Sequence, residues 1–462
     1  MTSVVIIGGG PGGYEAALVA RQLDAEVTLI DSDGIGGSAV LTDCVPSKTL
    51  IATAEAMQEV AAATELGVKF AEDVAKVDLA KVNTRVKQLA LDQSLDIAAG
   101  LARAGVTILK GTGRLHPATA SAHRASVVAT GADGIETEIE ADTVLIATGA
   151  TPRTLPTAQP DGERILTWEQ VYDLTEMPSE LIVVGSGVTG AEFASAYLSL
   201  GVSVTLVSSR DMILPGEDPD AAAVLQDVLT RRGMKVLAKS RMESVTRDGE
   251  MVTVRLTDGT EVTGSHCILA LGSIPNTEGI GLEEAGIRTD DGGFIKVDRV
   301  SRTSVRGVYA AGDCTGVFML ASVAAMQGRI AMWHALGDAV QPLDIKQVSS
   351  NVFTIPEIAT VGITQADVDK GLEAEVVRLD LATNPRAKIQ GVHDGFVKLF
   401  CRPGTRILVG GVVVGPRASE LIHAVALAVS AGLNADQFAQ TFTVYPSMSG
   451  SLAEAARRLH RA

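Results

Sequence analysis

Two stretches of the chain follow the same order of apolar and polar positions. Val4 to Asp31 reads VVIIGGGPGGYEAALVARQLDAEVTLID, and Leu181 to Ser208 reads LIVVGSGVTGAEFASAYLSLGVSVTLVS. Each opens on an apolar, β-branched run, breaks at G-x-G-x-x-G, continues with an alanine-rich helical period and closes on a second apolar run. A short unbroken apolar run suits a strand covered on both faces, and the glycine break marks a tight turn. Together they predict the βαβ dinucleotide-binding unit, present twice. In that unit Gly8 and Gly185 permit the turn, and Gly10 and Gly187 let the backbone approach a pyrophosphate. Gly13 and Gly190 let the helix pack closely on the strand. The helix N-terminus then aims its free N–H groups at the phosphates.

The copies differ where the second strand ends. The first ends in Asp31, a carboxylate placed to accept from ribose hydroxyls. The second ends in Ser208, with Arg210 two residues further on and no acid at the ribose position. The first site therefore suits an adenosine with a free 2′-hydroxyl, while the second takes NADH or NADPH, with a lean towards NADPH.

The remaining pattern is ordered as well. A helical stretch covers Thr49 to Gly105. ADTVLIATGA (Ala141 to Ala150) is an apolar strand running into Thr148-Gly149, and SHCILALGSIPNT (Ser265 to Thr277) repeats that design with Gly272. GVYAAGDCTG is a further buried strand ending at Gly312-Asp313. From about residue 346 alternating strands (GFVKLFCR, ILVGGVVVG) and a long apolar helix (LIHAVALAVSAG) predict an α+β domain.

Composition narrows the reading. The 462 residues suffice for about three domains. A hydrophobic fraction of 46% supports sizeable cores, and 47 glycines with 3% aromatics suit an α/β protein with many close backbone approaches. With 55 Asp+Glu against 39 Lys+Arg the net charge is −16, which argues against nucleic-acid binding. The first strand starts at Val4, leaving no room for a signal peptide, and no run of 18 apolar residues predicts an integral membrane segment. Four scattered cysteines (Cys44, Cys267, Cys314, Cys401) form neither a disulfide framework nor a metal-ligand spacing. A reduced, cytoplasmic setting is expected.

The order of these motifs resembles the flavoprotein disulfide reductases, and most the dihydrolipoamide dehydrogenase branch. The resemblance runs from the first fingerprint through GGSAVLTDCVPSK (Gly36 to Lys48), the ATG strand, the second fingerprint, GSIPNT and AAGD to the α+β tail. It implies an α/β fold of two Rossmann-like domains, for FAD and NAD(P), followed by a C-terminal α+β dimerisation domain. The expected boundaries are 1–155 for the first part of the FAD domain, 156–276 for the NAD(P) domain, 277–345 for the second part of the FAD or central domain, and 346–462 for the interface domain. FAD contacts carry over to Gly8, Gly10, Gly13, Asp31, Gly37, Lys48, Thr148, Gly149 and Asp313. Nucleotide contacts carry over to Gly185, Gly187, Gly190, Ser208, Arg210 and Gly272. Lys48 matches the family lysine near flavin N5, and Glu192 the glutamate that pairs with it, so hydride transfer from the nicotinamide to flavin is implied. A homodimer is implied too, its tail completing the partner's site.

The pattern breaks on one side only. The family carries two cysteines separated by four residues in the GG segment. Here Cys44 keeps the inner one, and Ala39 stands in place of the outer one. In the tail stretch TFTVYPSMSGS, Tyr445 replaces the family histidine and Gly450 its glutamate. A histidine with a pKa of about 6.5 shuttles protons at neutral pH, whereas a tyrosine at about 10 is a poor base. Nearby His460 lies in a basic terminal tail, expected to fray.

The input half of the chemistry is thus kept and the thiol output is lost. The expected activity is an NAD(P)H dehydrogenase that passes flavin electrons directly to a small acceptor, a quinone, in a pocket lined by Ala39, Cys44 and Tyr445 from the other subunit. Lipoamide dehydrogenase activity is not expected. The competing readings are a single-cysteine peroxidase or oxidase using Cys44, a pyridine nucleotide transhydrogenase, and a non-catalytic flavin scaffold.

Overall fold

The amino-terminal apolar run becomes the strand Ser3–Ile7 in a computed structural model that describes residues 1–69, 75–116 and 124–460. That strand lies inside a seven-stranded sheet. The order is Val308–Ala310, Thr143–Ile146, Ser3–Ile7, Glu26–Asp31, Thr107–Leu115, Ala125–Gly131 and Glu136–Ala141. The first five are parallel and the last two join antiparallel. The unbroken apolar run is explained by alternation, since successive side chains point to opposite faces. Val4 and Ile6 enter one core with Leu29, Leu145 and the helix residues Ala16 and Ala20. Val5 and Ile7 enter another with Ile30, Val144, Leu115 and Val127. Both faces are covered, so neither register is polar.

This sheet belongs to one of two units, formed by Met1–Ser47, Thr84–Arg153 and Gly272–Asp344. Its helix Pro11–Gln22 packs on helix Ala321–Ala335 so closely that a Cβ on Gly328 would lie 2.1 Å from the Gly12 carbonyl oxygen. Only glycine allows that crossing.

The other unit holds Lys48–Asn83, Thr154–Leu271 and Ile345–Ala462. Its first sheet is parallel, in the order Lys235–Leu237, Ser203–Val207, Glu180–Val184, His266–Leu269 and Ile165–Thr167. The antiparallel strands Met242–Asp248, Met251–Leu256 and Glu261–Gly264 cover one face and share a core with it through Val245, Val254 and Ile182. The tail forms a five-stranded antiparallel sheet, Ser349–Val352, Glu357–Gly362, Leu408–Gly415, Phe396–Cys401 and Glu375–Asp380. Helices Ala418–Ala431 and Gly450–Arg458 bury Ile422, Val425, Leu452 and Ala456 against it. One mixed sheet with a five-stranded parallel part, one parallel sheet and an α+β tail agree with the α/β fold class expected from the sequence.

Candidate active site

The first glycine loop separates what the fold demands from what a ligand would demand. Gly8 has φ +104°, donates its N–H to Ile30 O at 2.8 Å, and a Cβ there would lie 2.2 Å from the Ala147 carbonyl oxygen. A Cβ on Gly13 would lie 1.9 Å from the Gly8 carbonyl oxygen. Protein backbone therefore forces both glycines. Gly10 is different: its φ is −69°, and the nearest atom to a Cβ is the Gly37 Cα at 3.9 Å. The protein itself leaves that space open. No side chain caps the helix that begins there; Pro11 at its first position brings no N–H, and Gly13 N and Tyr14 N both donate to Gly10 O at 2.9 Å. An open cradle at an uncapped helix start fits a pyrophosphate. Gly37, with φ +58°, completes the wall, since its own Cβ would come within 2.8 Å of the Gly10 Cα.

Asp31 is fixed by backbone donors. Its Oδ2 accepts from Gly9 N at 2.7 Å, and its Oδ1 accepts from Gly34 N at 2.6 Å and Asp33 N at 3.0 Å. A carboxylate offers about four lone-pair sites, so capacity remains for a ribose hydroxyl. Thr148 donates its hydroxyl to Asn276 O at 2.7 Å, and Asn276 Nδ2 donates back to Thr148 O at 3.0 Å. This clasp ties the ATG and GSIPNT segments together. Gly149 and Gly272 both have positive φ, +71° and +83°, which explains glycine at each. Asp313 opens a short 3-10 turn, and burial followed by the nearby Asp43 carboxylate pushes its carboxyl up to about 6. Cys314 beside it is wholly buried, and burial drives its thiol up to about 11, which makes it inert.

The second loop repeats the steric demands. Gly185 donates to Val207 O at 3.0 Å, and a Cβ there would lie 2.1 Å from the Ala270 carbonyl oxygen. A Cβ on Gly190 would lie 1.9 Å from the Gly185 carbonyl oxygen, whereas one on Gly187 would meet nothing within 4 Å. Val184 pairs with Val207 as Ile7 pairs with Ile30, so Ser208 takes the register of Asp31. Its buried hydroxyl lies 2.7 Å from that of Ser186 and accepts from Arg210 N at 3.1 Å. Arg210 itself is exposed at the same corner.

Lys48 and Glu192 meet. Lys48 lies in helix Cys44–Ala62 and Glu192 in helix Val188–Ser199, and Nζ stands 2.9 Å from Oε2. Glu192 is only 6% exposed and its other oxygen, Oε1, accepts from Phe353 N at 2.8 Å. The ammonium also lies 4.8 Å from the centre of the Phe353 ring. The sequence drew no attention to Phe353, because a lone aromatic after a strand carries no motif.

The residues around the missing thiol chemistry are placed as follows. Cys44 opens the helix that carries Lys48 one turn later, and Ala39 lies in the short preceding helix Gly37–Leu41. None of the four cysteines joins another in a disulfide, and Cys267, Cys314 and Cys401 are wholly buried. Tyr445 is 82% exposed, beside the equally open Phe442 and Val444. Those two neighbours carry no signal of their own in the sequence, where TFTVYPS alternates Thr with Phe and Val over only a few residues. Gly450 starts helix Gly450–Arg458, and its N–H donates to Ser447 Oγ at 3.2 Å. His460 does not fray as expected: its Nδ1 lies 2.8 Å from Asp436 Oδ1. Among the described residues no helix is long and apolar enough to cross a membrane, and no group of metal-ligating side chains gathers.

Comparison with known proteins gives a consistent set of relatives. Residues 2–328 match the pyridine nucleotide-disulphide oxidoreductase family, and residues 348–456 match its dimerisation domain. A Mycobacterium tuberculosis (strain ATCC 25618 / H37Rv) protein named NAD(P)H dehydrogenase (quinone) is 55% identical over 463 residues, 99% of this chain and 94% of the relative. The dihydrolipoyl dehydrogenase of Zymomonas mobilis subsp. mobilis is 33% identical over 98% of this chain and 96% of its own length. The crystal structure of LpdA from Mycobacterium tuberculosis matches with a TM-score of 0.96 at 54% identity, covering 100% of both chains.

Proposed function

The chain belongs to the pyridine nucleotide-disulphide oxidoreductase family, and from that premise we propose that it is an NAD(P)H dehydrogenase passing electrons directly to a small acceptor, a quinone. One contrast carries this reading: the Lys48–Glu192 pair stands at 2.9 Å, while none of the four cysteines joins another in a disulfide and three of them are wholly buried. The input side is built, and a dithiol output is not. The Mycobacterium tuberculosis relative named for quinone reduction supports the same acceptor.

The family works with FAD and NAD(P)H. When bound, FAD supplies a two-electron store that takes a hydride from the nicotinamide and releases electrons to the acceptor. The protein's part is to bind and orient. We assign Gly8, Gly10, Gly13 and Gly37 to the FAD pyrophosphate, and Asp31 to the ribose hydroxyls. Thr148 and Gly149 border the same nucleotide, and Asp313 takes the hydroxyls of the flavin chain. Gly185, Gly187, Gly190 and Gly272 receive NAD(P)H. At Ser208 no carboxylate repels a 2′-phosphate, and exposed Arg210 attracts one, which tilts the choice towards NADPH. Lys48 holds positive charge for the reduced flavin, and Glu192 orients it. Tyr445 is the contact offered to the acceptor.

The open Phe442, Val444 and Tyr445 lie in the dimerisation domain, and we read them as a surface covered in a homodimer, which sedimentation equilibrium tests. The proposed modules are 1–155, 156–276, 277–345 and 346–462, and the proposed compartment is the cytoplasm.

The test is steady-state oxidation of NADPH and NADH with benzoquinones, naphthoquinones, lipoamide and peroxide. Turnover with quinones and none with lipoamide is expected. Quinone rates at background overturn the acceptor. A flavin absorbance that fails to bleach on mixing with NADPH overturns the dehydrogenase and favours a scaffold. A second reading rests on Cys44 being the one thiol that is not wholly buried. It makes Cys44 a peroxidatic thiol. Cys44→Ser separates the two, since it abolishes activity only in that case.

A further inference from the structure

We propose that Phe353 is a positioning residue for the Lys48–Glu192 pair, its ring clamping the ammonium while its backbone N–H holds the carboxylate. The inference rests on the reading that this pair serves flavin reduction, and goes beyond it by assigning the part that sets the pair's geometry.

A lysine stem has several rotatable bonds, and a single ion pair leaves its head free to swing. Here the geometry closes on both partners. Glu192 commits Oε2 to Lys48 Nζ at 2.9 Å and Oε1 to Phe353 N at 2.8 Å, so neither oxygen is left to rotate towards another donor. The same phenylalanine presents its ring 4.8 Å from Nζ, where the negative face of the ring attracts the ammonium. One residue therefore touches the acid through its backbone and the base through its side chain.

Phe353 is itself held in register. Two residues on, Ile355 N donates to Ser195 Oγ at 3.1 Å, and Ser195 is buried one turn after Glu192 on the same helix. The segment 353–355 is thus stitched to helix Val188–Ser199 at two points a turn apart. The ring is only half-buried, so it is not a core plug whose loss would collapse the fold. A leucine would keep most of the bulk and the backbone donor while removing the attraction of the ring. A tyrosine would keep both.

The experiment uses the FAD-loaded chain with Phe353→Leu, Phe353→Tyr and Lys48→Ala, each checked by thermal melting. Flavin bleaching by saturating NADPH is followed by rapid mixing without any acceptor, so a failed quinone assay does not bear on it. Phe353→Leu is expected to slow bleaching about tenfold, with the NADPH dissociation constant changed by less than about twofold, and Phe353→Tyr to restore the rate. The second readout is spectroscopic. With lysines labelled at the ε-carbon, one ε-methylene signal of the wild type should be displaced upfield by the ring. Lys48→Ala and Phe353→Leu should each remove that displaced signal, and Phe353→Tyr should keep it. A wild type without a displaced signal overturns the inference whether or not the variants fold. Equal rates in the Leu variant and the wild type overturn it too, as does a loss shared by Leu and Tyr. If Lys48→Ala leaves bleaching unchanged, the underlying reading of the pair fails instead.

Discussion

The two glycine loops are near-copies that part at one register position. Both turn at a positive-φ glycine against a neighbouring carbonyl, and both pack at a glycine whose Cβ would sit 1.9 Å from a backbone oxygen. Both leave the middle glycine facing open space at an uncapped helix start. Then Asp31 brings a carboxylate held by three backbone donors, whereas Ser208 turns its hydroxyl to Ser186 and brings no charge. The scaffold of a dinucleotide site is set by steric demands that the two loops share. What the two loops do not share is the charge of the side chain that ends the second strand.

The largest effects should fall on the distinction between fold-required and ligand-required glycines. Gly190→Ala drives a methyl into the Gly185 carbonyl and should cost about 3 kcal/mol in urea unfolding, with Gly13→Ala behaving alike. Gly187→Ala should melt with the wild type yet bind NADPH at least about tenfold more weakly in a fluorescence titration. An unstable Gly187→Ala would break the distinction.

A smaller effect is expected at Asp313. Its folded pKa is raised to about 6, above the ordinary carboxylate value of 3.8. The folded FAD-free protein therefore holds this proton more tightly than the unfolded chain does. The associated stability is fully present below about pH 4 and is lost as the pH rises through about 6. Urea unfolding of FAD-free protein at pH 4.5 and 7.5 should show a fall of about 2 kcal/mol that Asp313→Asn lacks. Asp313→Asn should also retain FAD poorly. Equal pH dependence in the two proteins would remove the cost assigned to this carboxyl.

The smallest change sharpens the comparison most. Ser208→Asp places the first loop's charge in the second, next to Arg210. The ratio of NADPH to NADH in kcat/KM should fall about tenfold, roughly 1.4 kcal/mol, with little change in flavin content. An unchanged ratio would show that the strand-end residue does not select the coenzyme.

Much of this was legible along the chain. The two βαβ units, the ATG and GSIPNT segments and the buried AAGD strand announced themselves through apolar runs and glycine spacing, and each formed. Ala39 was legible as the residue standing where the family has its outer cysteine. The three-stranded sheet Met242–Gly264 escaped notice, because its short alternating strands carry no motif. His460 was read as frayed for its place near the end, yet it found Asp436, which chain position does not disclose.

The sequence by itself determined where the chain turns, which glycine opens each of the two helices and which residue ends each second strand. Those features depend on sterics and periodicity within a few tens of residues, so they are written locally. The tertiary structure gave the implied Lys48–Glu192 pair its contact across 144 positions, and it alone showed that Phe353 reaches Glu192 across 161 and meets Lys48 as well. It alone paired the Ser186 and Ser208 hydroxyls. Contacts between distant residues are set by how the intervening elements pack, and no local pattern encodes that packing.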